Sequence, residues 1–239
     1  MPGTNGNGPL PALPAPDSGS QVPSSNGSIP TELTLAFERA LDIPSHPILK
    51  SHVLDGRAVL PMALHMEWLA HAALHGNPGL VFHGFNDLRI THGVMVEDGS
   101  TTTLRALAGK AVKADKPEKT FLVPVELRGK RRDGREAIHS RAEVLLTSAL
   151  PKPPFADGAP DVQPYPHPLD EVYRYFLFHG PDLHGIERID GLTDTSFVAS
   201  AYPAPAPSDW FASPLRWGGG GDPLVVDAAF QMMILWSFA

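Results

Sequence analysis

The stretch HVLDGRAVLPMALHMEWLAHAAL, residues 52–74, decides how the chain is read. Its second part, from residue 62, is apolar almost throughout and holds neither Gly nor Pro, which predicts a helix over 61–75. Pro61 reads as the first helical residue, because proline's φ is already fixed near the helical value and its missing N–H would have been unpaired there. Gly56 permits a tight turn before it, and residues 57–60 can run as a short strand. That order leaves His52 and the start of the helix close enough to share one pocket. The breakers of HGNPG, 75–79, end the helix.

Beyond the helix the pattern changes to strands. LVFHGFNDLRITHGVMVE (80–97) is rich in β-branched and aromatic residues, and TTTLRALAGKAVKA (101–114) alternates with a period near two. KTFLVPVELRGK (119–130) and REAIHSRAEVLLTS (135–148) flank Arg132, Asp133 and Gly134, a reversal expected of a hairpin. The basic run Lys130, Arg131, Arg132 therefore reads as a hairpin turn. One helix followed by several antiparallel strands predicts an α+β unit in which the sheet wraps and buries the helix.

The flanking segments set the domain plan. Residues 1–32 are dominated by Pro, Gly, Ser and Asn, with no apolar periodicity, and read as a linker to something larger. The first folded unit runs over 33–150, opening with LTLAFERALDIPSHPIL (33–49), and a second Pro-rich linker covers 151–167. From 168 the pattern restarts. LDEVYRYFLFHGPDLHGIERI predicts a short helical run ending at a Gly-Pro turn, TDTSFVASAYPA a strand, and PLVVDAAFQMMILWSFA (223–239) a second apolar helix. Residues 168–239 thus read as an incomplete second copy of one sheet wrapped round one helix.

Composition narrows the function classes. A net charge of -7 and a pI near 5.8 argue against nucleic acid or an anionic membrane surface as the main partner. No apolar run reaches the ~18 to 20 residues that span a bilayer, and the N-terminus lacks the basic region and apolar core of a signal peptide. A cytoplasmic location is the expectation. The absence of cysteine excludes disulfides and thiolate catalysis, which leaves eleven histidines as the groups that titrate near neutral pH.

In the second apolar helix Asp227 is the only charged residue, and Gln231 lies one turn on, where it can hydrogen-bond and orient the carboxylate. Burying a carboxylate is costly unless it is paired or used. A capping role at the helix start is the bland alternative. His52 alone could equally be structural, but a histidine and a carboxyl facing one pocket make a general base and a general acid. Burial would keep His52 neutral and lift Asp227. His71 and His75 have the i,i+4 spacing of helical metal pairs, yet no third ligand is evident and the helix C-terminus accounts for them. HMEWLAH (65–71) has the wrong spacing for a zinc-protease helix, and GGGG (218–221) reads as a loop.

His52, Gly56 and Pro61, then HGP at 179–181 followed by DLHG, then DAAFQ at 227–231, resemble in order the three motifs of the dehydratase domains of polyketide synthases. The helix over 59–74 and LRITHGVMVEDG (88–99) are more similar to the enediyne and polyunsaturated-fatty-acid synthases than to modular ones. The resemblance covers residues 45–239 and implies a double hot dog fold. It implies that His52 abstracts the α-proton of a 3-hydroxyacyl thioester, that Asp227 protonates the leaving hydroxyl, and that Gln231 positions Asp227. Gly180 and Pro181 would shape the pocket wall, and backbone N–H groups from Met62 onward could polarise the thioester carbonyl. The family often has tyrosine where this chain has His179, so that hydroxyl's role does not carry over.

The resemblance further implies no metal and no cofactor of the domain's own, the substrate arriving on the phosphopantetheine arm of an acyl carrier protein. Neighbouring synthase domains and a homodimer are the other partners implied. A product-template aldol cyclase and a non-catalytic double hot dog scaffold are the competing readings. Because the second copy lacks strands, Val225, Val226, Phe230, Met232, Met233, Leu235, Trp236 and Phe238 are expected to be left uncovered, each forgoing about 1.5 to 3 kcal/mol. The natural chain is therefore expected to continue past Ala239.

Overall fold

In a computed structural model of the chain, residues 32–114, 119–153, 158, 160–216 and 221–238 are described. The expected leading linker up to residue 31 and most of the GGGG stretch lie outside them. Among the described residues eleven strands and four α-helical segments follow in chain order. The first is β1 (Thr34–Leu41), for which the sequence carried only a change of composition. A 3-10 turn, Pro47–Ser51, then leads to β2 (Val53–Leu54), β3 (Arg57–Val59) and α1 (Met62–His75).

Asp55 and Gly56, both with positive φ (48° and 74°), make the two-residue turn between β2 and β3. Pro61 is the helix N-cap rather than the first helical residue. Its ψ of 146° is extended, and its carbonyl accepts from Leu64 and His65, so α1 begins at Met62.

The strands after α1 are β4 (Val81–Ile90), β5 (Met95–Val96), β6 (Thr102–Ala108), β7 (Val112–Lys113), β8 (Thr120–Lys130) and β9 (Glu136–Thr147). They form an antiparallel six-stranded sheet in the order β1-β6-β8-β9-β4, with β7 against β8, while β5 pairs with β3 in a small second sheet. Gly134, at φ 78°, closes the β8–β9 hairpin where the basic run was expected to turn. The inward side chains alternate as a half-buried sheet requires: Leu104 and Ala106 from β6, Val123, Val125 and Leu127 from β8, Val144 and Leu146 from β9. They enclose Leu64, Trp68, Leu69, Ala72 and Ala73 of α1, a helix buried on nearly every side.

The remaining segments follow β9, and the last helix among them packs against α1. They are α2 (Leu169–Glu171), a π-helical turn Val172–Phe176, a 3-10 turn Pro181–Leu183, β10 (Ile186–Leu192), β11 (Phe197–Ala201), α3 (Pro207–Trp210) and α4 (Pro223–Trp236). The helical run expected before the Gly-Pro turn is thus short and ends at Phe176, and β10 follows where no strand was expected. The described residues form one compact unit. Within the Pro-rich segment, Gln163 pairs with Leu192 through two 2.9 Å backbone bonds.

α4 buries Leu224, Asp227, Ala228, Gln231 and Leu235, a stripe at helical spacing. Leu224 joins the α1 core, whereas Ala228 and Leu235 join a second cluster with Val172, Leu177 and Ile186. The expectation that all its large apolar residues are uncovered is corrected for Leu235, which is fully buried there. Val226, Phe230 and Met232 are half-buried, and Val225, Met233, Trp236 and Phe238 are exposed. No helix among the described residues is long and apolar enough to cross a membrane.

Asp222, not Asp227, caps α4. Its carboxylate accepts from Leu224 and Val225 at the helix start and also from the Ala204 N–H. Asp222→Ala is expected to cost about 0.5 to 2 kcal/mol of stability in chemical denaturation. An unchanged midpoint would show that the cap carries no weight.

Candidate active site

The β2–β3 turn folds the chain back so that His52 lies against Val59. The Val59 N–H donates to the His52 carbonyl (2.9 Å), and the His52 ring meets the Val59 carbonyl through Nδ1 (2.8 Å). A carbonyl can only accept, so Nδ1 carries the ring proton and Nε2 keeps its lone pair. His52 is buried, and desolvation holds its pKa below the ordinary value against the smaller opposing effect of the Val59 carbonyl. A neutral imidazole with a bare Nε2 is the protonation state of a general base.

The second half reaches this histidine through its backbone. His52 and His179 form an antiparallel bridge, and the Gly180 N–H donates to the Ser51 carbonyl at 2.7 Å. A Cβ on Gly180 would stand 2.9 Å from the Ser51 Cα, so only glycine admits so close an approach. Pro181 opens the 3-10 turn that follows, and Asp182 secures it by accepting from the Ser51 hydroxyl (2.9 Å). The His52 and His179 rings meet edge to face at 5.4 Å, and Phe178 lies against both.

Asp227 approaches from α4, 3% exposed. With Asp222 occupying the cap, the capping reading of Asp227 falls away. Its Oδ2 accepts from Gln231 Nε2 at 2.8 Å and stands 3.6 Å from His179 Nε2, beyond hydrogen-bond range. Desolvation lifts its pKa to about 6, the Gln231 bond opposing. His179 is driven down to about 3 by desolvation, then by His52 and His184, so it is a neutral neighbour and not an ion-pair partner. Its Nδ1 is buried with no partner.

The ligand-type atoms of His52, His179 and Asp227 lie within 4.8 Å of one another. His179 therefore belongs to the cluster as an imidazole. Of the pair His71 and His75, His71 is engaged with Glu67 (3.3 Å) and the Arg216 carbonyl.

Of the residues singled out in the sequence, His52, His179, Gly180, Asp227 and Gln231 are brought together, with Pro181 adjoining. Gly56 and Pro61 act at a distance, one making the turn and the other the cap that begins α1 at Met62. Sequence reasoning missed Ser51 and Tyr173, whose hydroxyl donates to Gln231 Oε1 at 3.0 Å. It also missed His65 of α1, fully buried, joined to Ser140 at 3.0 Å and held neutral by desolvation with a pKa near 3. None of these stands in a motif whose spacing would have marked it.

No protein-family model matches the chain. Over 210 residues, 85% of its length, it is 30% identical to a polyunsaturated fatty acid synthase polypeptide of Thraustochytrium sp. (strain ATCC 26185 / S-3), of which it spans 7%. Among solved structures, GphF Dehydratase 1 superposes with a TM-score of 0.60 at 15% identity, over 84% of this chain and 68% of that one. Two single-residue variants of CurK dehydratase, both described as inactive, superpose with TM-scores of 0.56 and 0.55 at 16% and 15% identity, over 82% of this chain and 66% of theirs. The chain thus has the fold of polyketide synthase dehydratase domains and is related in sequence to a short segment of a polyunsaturated-fatty-acid synthase.

Gly180→Ala is expected to push the His179 strand off Ser51 and to lower stability by about 1 to 3 kcal/mol. Denaturation measures this, and a midpoint equal to that of the parent would show that the two strands part freely.

Proposed function

We propose that this chain is the dehydratase domain of a polyketide or polyunsaturated-fatty-acid synthase. It would act on a 3-hydroxyacyl thioester carried by an acyl carrier protein, beside other domains of its synthase. The observation that carries the proposal is the pairing of a neutral histidine, bare at Nε2, with a buried carboxyl that holds its proton to unusually high pH. His52 Nε2 takes the α-proton. The electron pair left behind forms the Cα–Cβ double bond as the Cβ–O bond breaks, and Asp227 gives its proton to the departing hydroxyl, which leaves as water. The proton on His52 then returns to Asp227 through solvent. The first backbone N–H groups of α1, from Met62, would stabilise charge on the thioester oxygen.

CurK dehydratase, which shares the fold, is inactive when one histidine becomes phenylalanine or one aspartate becomes asparagine. Those losses support a histidine and an aspartate as the reacting pair here. In this reading α1 with its sheet and α4 with β10 and β11 are the two halves of a double hot dog. Val225, Met233 and Trp236 of α4 are exposed.

The test is a 3-hydroxyacyl carrier-protein thioester followed by mass for loss of water. His52→Ala and Asp227→Asn should each lower turnover by about 10²-fold or more with the fold retained. Near-parental turnover in either folded variant would sink the mechanism.

The reaction needs His52 neutral and Asp227 protonated. kcat/KM should therefore rise as pH passes the lowered His52 value and fall as pH rises through about 6. The same shift predicts a stability trade. Asp227 has a folded pKa near 6 against an ordinary 3.8, so its contribution is fully present below 3.8 and is lost as pH rises to 6. At pH 7 Asp227→Asn should stabilise by up to about 3 kcal/mol, and a less stable variant would contradict the raised value.

A further inference from the structure

Gln231 does not orient Asp227 unaided. Its side chain is fully buried, and all its polar atoms are placed. Nε2 donates to Asp227 Oδ2 (2.8 Å) and to the Leu183 carbonyl (2.8 Å), while Oε1 accepts from the Tyr173 hydroxyl (3.0 Å). That hydroxyl in turn accepts from the Ile186 N–H at 2.8 Å, at the start of β10. An amide N–H can only donate, so it occupies a lone pair of the Tyr173 oxygen and leaves the hydroxyl proton for Oε1. The chain runs in one sense, from a backbone donor of β10 through Tyr173 and Gln231 to the carboxyl.

We propose that Tyr173 is a positioning residue for Asp227, acting through Gln231 to hold the amide with its nitrogen against the carboxyl. The proposal rests on the acid–base reading of Asp227. Without the hydroxyl, Oε1 would be a buried acceptor with no partner, a state that drives the amide to rotate or shift. Rotation would turn an acceptor toward the carboxyl oxygen and withdraw the donor that bonds it.

The ring of Tyr173 is itself fixed. It stacks on His184 with centroids 3.8 Å apart, and His184 Nε2 donates to the His179 carbonyl (3.2 Å). One side chain thus joins the support of Asp227 to the support of the histidine beside it. Burial raises the Tyr173 pKa to about 12, so the hydroxyl keeps its proton at any assay pH. The titratable groups facing Asp227 are Tyr173 from the π-helical turn, His179 before the 3-10 turn, and His52 after the Pro47–Ser51 turn. Desolvation and the Gln231 bond account for its shift, with no cation contributing.

The experiment titrates the Asp227 carboxyl carbon by NMR in the full chain, as the parent, Tyr173→Phe, Gln231→Ala and the double variant. Loosening Gln231 removes a bond that favours the ionised carboxyl, so Tyr173→Phe should raise the Asp227 pKa by about 0.5 to 1 unit. In the Gln231→Ala background the same substitution should add nothing. With the thioester substrate, Tyr173→Phe should lower kcat about threefold to tenfold with KM within about twofold of the parent. An unmoved Asp227 titration in Tyr173→Phe would overturn the proposal. A shift that persists without Gln231 would do so too, since it would trace to the lost partner of Ile186.

Should Tyr173→Phe not fold, 3-fluorotyrosine at 173 serves instead. As a stronger donor it should lower the Asp227 pKa, and an upward shift or none overturns the proposal. If no form dehydrates the thioester, the dehydratase reading falls while the titrations still decide the part played by Tyr173.

Discussion

The backbone pairing of Ser51 and His52 with His179 and Gly180 is the constraint on which the site depends. It joins the approach to α1 with the approach to β10, segments that no local signal would bring together. One bond, Gly180 N–H to the Ser51 carbonyl, fixes the separation, and the absence of a side chain on Gly180 permits it. Around it the other contacts take their places. The Ser51 hydroxyl anchors Asp182, the 3-10 turn sets the Leu183 carbonyl where Gln231 can reach it, and the two histidine rings meet edge to face. A loop that carried only His52, or only Asp182, could be repositioned by its own side chains. A backbone bridge leaves each strand no register but one.

α4 supplies the second requirement, a carboxyl without water. Its buried stripe places Asp227 and Gln231 between Leu224, which belongs to the α1 core, and Leu235, which belongs to the smaller cluster. The helix draws its stability from apolar residues on the stripe and loses part of it at Asp227, whose charged form is the disfavoured one. Asp222 makes this division possible. By capping the helix it satisfies the N–H groups of Leu224 and Val225 and leaves Asp227 to the pocket. Two aspartates on one helix thus have opposite environments, one solvating backbone donors at the end and the other desolvated one turn in.

The larger elements were legible in the sequence because their signals are local. The run after Pro61 could hardly be anything but a buried helix, and the alternation in 101–114, with the turn at Asp133 and Gly134, gave strands their ends. His52, Gly56 and Asp227 could be singled out because a histidine before a turn and a lone acid in an apolar helix are each costly to place without a use. β1 and β10 were not legible, since neither stands out from its surroundings and each is defined by the strand that pairs with it. Pro61 was misplaced by one residue because a fixed φ suits the cap as well as the first turn, and only ψ separates them. Tyr173 was hidden for a similar reason. In VYRYF two tyrosines stand two apart, and nothing local says that Tyr173 turns inward with its hydroxyl on Gln231 while Tyr175 is 69% exposed.

Among the described residues no arginine or lysine contributes to the Asp227 shift, and the site's electrostatics follow from that. Arginine or lysine beside Asp227 would have stabilised the carboxylate and cost it the proton that an acid must give. The chain sets a histidine there instead, and desolvation together with His52 and His184 keeps that histidine neutral. Among the described residues the carboxyl therefore faces dipoles: an amide, a hydroxyl behind it, an imidazole 3.6 Å away and the His52 ring beyond it. Dipoles can orient an acid without ionising it, whereas a full charge would do both. His179 is kept neutral for the same reason that Asp227 holds its proton up to about pH 6, since among the described residues a single charge in this pocket lacks an opposite one close enough to offset its desolvation. The two neutral states support each other. Protonating His179 would pull Asp227 toward its anion, and ionising Asp227 would pull His179 toward its cation, so the proton balance of the site belongs to the pair and not to either residue.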